Sequence, residues 1–402
     1  MPEPTGVIVI GAGPCGLAAG YALRKAGLAT WILERSQDVG VSWHSFYDSL
    51  RLNTGRVISS LPGLRMPRRY GRWVGRDDFI EYLGDYARQI DAPIEFGVAV
   101  QRIDPAEDGW TVQTTAGARP AAAVVVATGA NGMARWPNWA SESTFAGEVL
   151  HAAEYRNAEP YRGRDVLVVG TGASAHDIAL DLIRNGAGRV RISVRTPPIM
   201  VPRETLGFSS AIITHINKHY AKTPPAVLDK VSLWMHRHHY GEASRYFGTP
   251  PAGMMAALAE RGHGIAVEVG LLAELKAGTV HAVAAVERFD GEDVVLADGQ
   301  RLQPDAVVLA TGLRAELAPL VGHLGVLDAN GRPLVHGGQT LAQAPGLYFL
   351  GFRVPVGLSD MRVDAPAIAK QLRRLAVGGP RDGRVRRSPS AEPVIEHSTG
   401  HA

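Results

Sequence analysis

The stretch VIVIGAGPCGLAAGYAL, Val7–Leu23, decides the fold. Four apolar β-formers run into Gly11-x-Gly13-x-x-Gly16, and a helical pattern follows. A strand, a tight turn and a helix start are the context that a dinucleotide-binding loop requires. Gly11 permits the turn, Gly13 lets the backbone approach a pyrophosphate, and Gly16 allows the helix to pack closely on the strand. Pro14 opens the helix, whose N-terminus offers free N–H groups and a partial positive charge. The next apolar run, ATWILER, ends in Glu34 and Arg35. A carboxylate at Glu34 can accept bonds from both hydroxyls of an adenosine ribose, so this loop reads as a dinucleotide site.

A second loop of the same kind lies in VLVVGTGASAHDIALDL, Val166–Leu182. Gly170-x-Gly172 is followed by Ser174, and by Ala175 where the third glycine would stand. The strand after it, RVRISVR, ends in Arg195. Here the acid is replaced by a base. A 2′-phosphate favours a guanidinium, which can grip it with two parallel bonds. The second loop therefore reads as an NADPH site, with a plain exposed arginine at a strand end as the alternative. Ser174, His176 and Asp177 sit too close together on one helix start to form a hydrolytic triad, and packing is the expected role.

The segments after each loop echo one another. VAVQRIDPAEDGWTVQTTAG leads to AAAVVVATGA, and HAVAAVERFDGEDVVLADG leads to PDAVVLATGL. Both contain hairpin-like strands, then a buried strand ending in Ala-Thr-Gly, at Thr128-Gly129 and Thr311-Gly312. Such self-similarity predicts an α/β chain with two Rossmann-like dinucleotide-binding domains, small antiparallel sheets and a helical insert. The Thr-Gly turns are placed where backbone comes close to a cofactor.

Bulk properties narrow the function. The chain has 402 residues, 46% apolar and 20% charged, ample for two domains. A formal charge of +3 and no basic stripe interleaved with aromatics argue against nucleic acid. The arginines of Arg65–Arg76 read as a solvated loop. The single cysteine, Cys15, excludes a catalytic dithiol and reads as a small packing residue. No signal peptide, membrane anchor or spanning run is legible, so the expected setting is cytoplasmic. His236, His238 and His239 lack the spacing that brings two ligands to one helix face, so no metal is expected.

With these residues in place the chain resembles the class B flavin monooxygenases, from about residue 5 to 376. It is most similar to the flavin-containing monooxygenases and the plant YUCCA-type enzymes. TFAGEVLHAAEY, Thr144–Tyr155, fits that family's FxGxxxHxxxY/F pattern at Phe145, Gly147, His151 and Tyr155. The tyrosine ending leans away from Baeyer–Villiger enzymes, whose related pattern ends in tryptophan. GVSWHSFYDSLRLNT, Gly40–Thr54, resembles the flavin-side segment and carries Trp43 and Asn53. RDDFIEYLGDYA, Arg76–Ala87, and GLYFLGF, Gly346–Phe352, resemble a family helix and the return strand to the FAD unit. Leu313 departs from the aromatic residue that many relatives have there. Asn53-Thr54 resembles the flavin-containing rather than the YUCCA-type segment.

The resemblance implies a discontinuous FAD domain, residues 1–155 and 320–377, around an NADPH domain, 156–319, with a helical insert at about 203–251. A polar tail, 378–402, is expected to be disordered. The implied reaction passes hydride from NADPH to FAD. Reduced flavin and O2 then give a C4a-(hydro)peroxyflavin that oxygenates a small organic substrate, with N- or S-oxygenation favoured. Asn53 is the implied catalytic residue, its amide donating to the hydroperoxide, with a plain turn residue as the alternative reading. His151 and its companions are expected to shape the joint between the two cofactors. The alternatives are YUCCA-type oxidative decarboxylation of a 2-oxo acid such as indole-3-pyruvate, Baeyer–Villiger oxygenation, and an NADPH oxidase or flavin redox sensor without organic substrate. Oligomeric state and substrate identity are not legible in the sequence.

Overall fold

The computed structural model describes residues 6–141, 145–205, 208–210, 215, 223–261, 265–353 and 357–378. Two five-stranded parallel sheets organise it. In the first, the strand order is Leu347–Phe349, Ala123–Val126, Val7–Ile10, Thr30–Glu34, Ile94–Phe96. In the second it is Glu148–His151, Ala306–Leu309, Asp165–Val169, Arg189–Val194, Val280–Ala284. The central strands are buried on both faces, which is why they read as unbroken Val/Ile/Leu/Ala runs.

Each unit carries a three-stranded antiparallel sheet, Val100–Ala121 in one and Val286–Leu302 in the other. The internal echo is thus structural. The first unit is completed from both ends of the chain. Leu347–Phe349 pairs with Ala123–Val126, and the helix Met361–Gly378 supplies Ala365, Ile368 and Ala369 to the same core as Leu17, Ala18 and Leu23.

One boundary differs from the sequence expectation. Glu148–His151 pairs with Ala306–Leu309, His151 opposite Leu309, so this segment is the edge strand of the second sheet. Phe145 stacks on Phe289 of the second unit, and Trp139 meets the same ring edge-on. The chain therefore crosses upstream of residue 155. It does so beside its own return crossing, because Met133–Ala134 pairs antiparallel with Leu313–Arg314. The two crossings form one ribbon, and a lone extended strand would have left its backbone groups unpaired.

The insert also runs further than expected. Ile199–Pro202 pairs in parallel with Ile265–Glu268, so the excursion closes at 265 and not near 251. Within it, the helix Pro225–Tyr240 caps the helix Met254–Arg261, Asp229 Oδ1 accepting from the Met255 N–H at 2.6 Å. The first apolar run expected there, 209–222, lies largely outside the described residues, as does the tail from 379 onward.

The loop glycines answer a close approach. Gly170 has φ +127°, and a Cβ there would lie 2.4 Å from the Ala310 carbonyl oxygen. Gly170→Ala is expected to cost about 1–3 kcal/mol of stability from backbone strain alone. Gly172, with φ −82° and open space around its Cβ position, serves as the control. Urea midpoints check this; equal midpoints for the two alanine variants would contradict the close approach.

Candidate functional site

The two loops share one geometry. Gly11 has φ +102°, and a Cβ on it would meet the Ala127 carbonyl at 2.9 Å, as Gly170 meets Ala310. Gly13 and Gly172 each precede a twelve-residue helix, Pro14–Lys25 and Ala173–Arg184, with matching extended dihedrals. Neither helix has a side-chain cap, and the Cβ position of each glycine faces open space. Uncapped N–H groups beside a glycine that adds no Cβ are the donor set that a diphosphate takes. At Gly16 a Cβ would stand 1.7 Å from the Gly11 oxygen. Ala175, the corresponding residue of the second loop, is fully buried and tolerates its methyl.

The residues beyond the second strand of each unit differ as expected. Glu34 is half-buried, with Oε2 accepting from Ala12 N–H at 2.7 Å and Oε1 from Ser36 N–H at 2.9 Å. It ties the loop to its neighbouring strand while one lone pair per oxygen remains for a ligand. Arg35 is exposed, its side chain in solvent. Arg195 is also exposed, on the wall of a 440 Å³ cavity with Tyr246, Gly248, Ala284 and Gln300. Pro14 is buried at the first helical position, where its missing N–H costs nothing.

The flavin-side segment folds back onto the first loop. Gly40, at φ +64°, donates its N–H to the Ala12 carbonyl, and Trp43 packs edge-on against Phe79 at 4.3 Å. Asn53 is half-buried, and among the described residues its amide makes no hydrogen bond. Its neighbours are fixed: Leu52 N–H donates to Val74, and Thr54 bonds Ser59. Thr128 is exposed, and Gly129 and Gly312 both take positive φ, +88° and +91°. Thr311 donates its hydroxyl across the crossing ribbon to the Arg135 carbonyl.

His151 is buried at the foot of that ribbon. Its backbone N–H donates to Glu154, its Nδ1 accepts from Ala153 N–H at 3.1 Å, and its Nε2 lies against the Gly312 backbone. Burial holds its pKa below the usual histidine value, so the ring is neutral at pH 7. Gly147 leaves room for the Phe145 ring, which a Cβ would meet at 2.5 Å. Tyr155 is fully buried and donates its hydroxyl to Asp181 at 2.7 Å.

Sequence reasoning missed Tyr47, Asp181 and Arg203, and took Asp177 for packing. Tyr47 donates to Asp177 at 2.7 Å across 130 residues, a pairing with no local signal. Arg203 donates to the Leu52 carbonyl at 2.7 Å and lies 4.2 Å over the Trp73 ring. Cys15 is half-buried beneath Gly351. Burial and the nearby Asp360 and Asp364 push its thiol up to about 12, so no thiolate forms there. His236 accepts from Met200 N–H, and among the described residues no group of three His, Cys, Asp or Glu could hold a metal.

Two open glycine loops on paired parallel sheets define a two-nucleotide oxidoreductase. Residues 8–223, more than half of the chain, match the family model described as pyridine nucleotide-disulphide oxidoreductase. The probable indole-3-pyruvate monooxygenase YUCCA9 of Arabidopsis thaliana is 32% identical, the alignment covering 98% of this chain and 93% of that protein. The indole-3-pyruvate monooxygenase YUCCA1 of Oryza sativa subsp. japonica is 31% identical over 91% of each. A flavin-containing monooxygenase of Stenotrophomonas maltophilia superposes with a TM-score of 0.69 at 25% identity, over 94% of this chain and 99% of that one. The chain belongs to the pyridine nucleotide-disulphide oxidoreductase family and, within it, to the class B flavin monooxygenases. It is an enzyme that works with flavin and nicotinamide cofactors. No described helix is long and apolar enough to cross a membrane.

His176 is fully buried, both ring nitrogens lack a partner, and burial lowers its pKa to about 4. A histidine whose folded pKa lies below its unfolded value loses stability as pH falls through that window. His176→Leu is expected to gain about 2 kcal/mol on wild type between pH 7 and pH 5, read from paired denaturation curves. A gap that does not change with pH would contradict the buried neutral ring.

Proposed function

We propose that the enzyme is an FAD- and NADPH-dependent monooxygenase of a small organic substrate, and that Asn53 contacts the reacting oxygen. The observation that carries this is the pair of open loops, one closed by Glu34 and the other leading to Arg195, with the uncommitted Asn53 amide on the segment between them. The flavin, when bound, supplies hydride acceptance and O2 activation. The chain's own residues bind, orient and exclude water. Backbone N–H groups at Gly13 and Gly172 receive the diphosphates, Glu34 receives a ribose, and Arg195 grips a 2′-phosphate. Asn53 donates its N–H2 to oxygen at the flavin, where a donor set in place before reaction acts most strongly. Trp43, Thr128-Gly129 and Thr311-Gly312 line the cofactor approaches. His151, neutral and buried against the ribbon, keeps the two loops in register.

Asn53 supports oxygenation of a soft nitrogen or sulfur. A second reading, oxidative decarboxylation of a 2-oxo acid, is supported by the activity named for the YUCCA relatives, which align along nine-tenths or more of the chain. Mass spectrometry of products from amine, thioether and 2-oxo-acid panels separates the two. The first gains one oxygen; the second loses CO2. Stoichiometric H2O2 with no oxygenated product from any panel would reject both.

Two variants test the roles. Arg195→Ala should raise KM for NADPH about 10- to 100-fold, the worth of a charged hydrogen-bond pair, and leave KM for NADH nearly unchanged. An unaltered preference would remove Arg195 from the site. His151→Ala should lower the ratio of product to NADPH consumed more than it lowers FAD content. An unchanged ratio with intact FAD content would sink the joint role.

A further inference from the structure

The flavin-side segment is bonded to the second unit along its length. Arg156 donates to the His44 carbonyl at 3.1 Å, Asp48 N–H donates to the Arg156 carbonyl, and Asn157 donates to Asp48 at 2.8 Å. Arg203 donates to Leu52, next to Asn53. Tyr47 goes furthest. Its ring is buried in the second unit's core, in one cluster with Ala175, Ile178 and Ala179. Its hydroxyl donates to Asp177 and lies beside the Ser174 hydroxyl.

These partners stand on the helix Ala173–Arg184, which begins at Gly172. Asp181, one turn past Asp177, is held by Tyr155, and the Tyr47 and Tyr155 rings meet edge to face at 6.4 Å. The helix that offers its N–H groups to the second cradle is thus gripped on two successive turns by tyrosines from outside its own βαβ unit. One comes from the joint strand region and the other from six residues before Asn53.

We propose that Tyr47 and Asp177 are positioning residues: their bond locks the Asn53 segment to the second glycine loop, so that nucleotide in that loop sets the flavin-side geometry. This rests on the reading that the Gly172 loop holds NADPH. A buried hydroxyl–carboxylate bond is strong and short, and losing one partner leaves the other unsatisfied.

The lock is also sensitive to pH. Burial pushes the Asp177 carboxyl up to about 6, and Asp181 adds to the rise. The Tyr47 bond and the Arg203 guanidinium oppose it. Ser174 faces the same hydroxyl, and Arg51 faces Arg203 from the exposed side. Above about 6 the carboxylate is a full acceptor for Tyr47; below it the carboxyl is protonated and the bond weakens.

The test uses the FAD-loaded enzyme and NADP⁺. Calorimetry gives NADP⁺ affinity, and the flavin difference spectrum on adding NADP⁺ reports the setting of the flavin side. In wild type the spectral response should fall away as pH drops through about 6. Tyr47→Phe should bind NADP⁺ yet lose most of the response at every pH. Asp177→Asn, which keeps an acceptor but does not titrate, should show a response independent of pH. An unchanged response in Tyr47→Phe, or a surviving step near pH 6 in Asp177→Asn, overturns the lock while leaving the functional reading intact. Wild-type enzyme that binds no NADP⁺ overturns both.

Discussion

Everything in this molecule depends on two places where a strand-end carbonyl presses against a glycine. Ala127 meets Gly11 and Ala310 meets Gly170, each so near that a Cβ could not be accommodated. The approach brings the central strand, its parallel neighbour and the following helix into one βαβ unit. It also leaves the glycine two residues on with open space before an uncapped helix. The same contact that packs the sheet therefore opens the anion cradle. Structure and binding are two results of one missing side chain.

The two units then have to face each other at a fixed separation. The fold joins them by pairing the outgoing and returning crossings into a ribbon, with His151 beneath it and Thr311 bonded across it. This joint and the helix beyond it hold several buried polar groups: His151, His176, and the tyrosines Tyr155 and Tyr47, bonded to half-buried Asp181 and Asp177. Carboxylates drawn out of water are costly unless bonded, and these two half-buried ones are bonded to tyrosines from other parts of the chain. Such pairs specify one arrangement of the units, where an apolar contact would allow sliding.

Much of the site was legible because its residues are local. Gly11, Gly13, Gly16 and Glu34 fall within one βαβ unit, and Gly170, Gly172 and Arg195 within the next, so spacing alone suggests the roles proposed for them. The Ala-Thr-Gly echo carried the two-unit plan for the same reason. Arg35, just past the end of the strand that carries Glu34, is exposed, as Arg195 is. The edge strand Glu148–His151 was hidden, because its four residues alternate weakly and its partner lies far along the chain.

By itself the sequence determined the strand–turn–helix units, the sign of the residue closing each loop, and the absence of a second cysteine for dithiol chemistry. These follow from backbone sterics and charge acting over a few residues. Only the tertiary structure decided which sheet the Phe145–Tyr155 segment joins, how far the insert extends, and that Tyr47 reaches Asp177. Those are settled by packing between segments far apart in the chain, where no periodicity records which surfaces will be buried together.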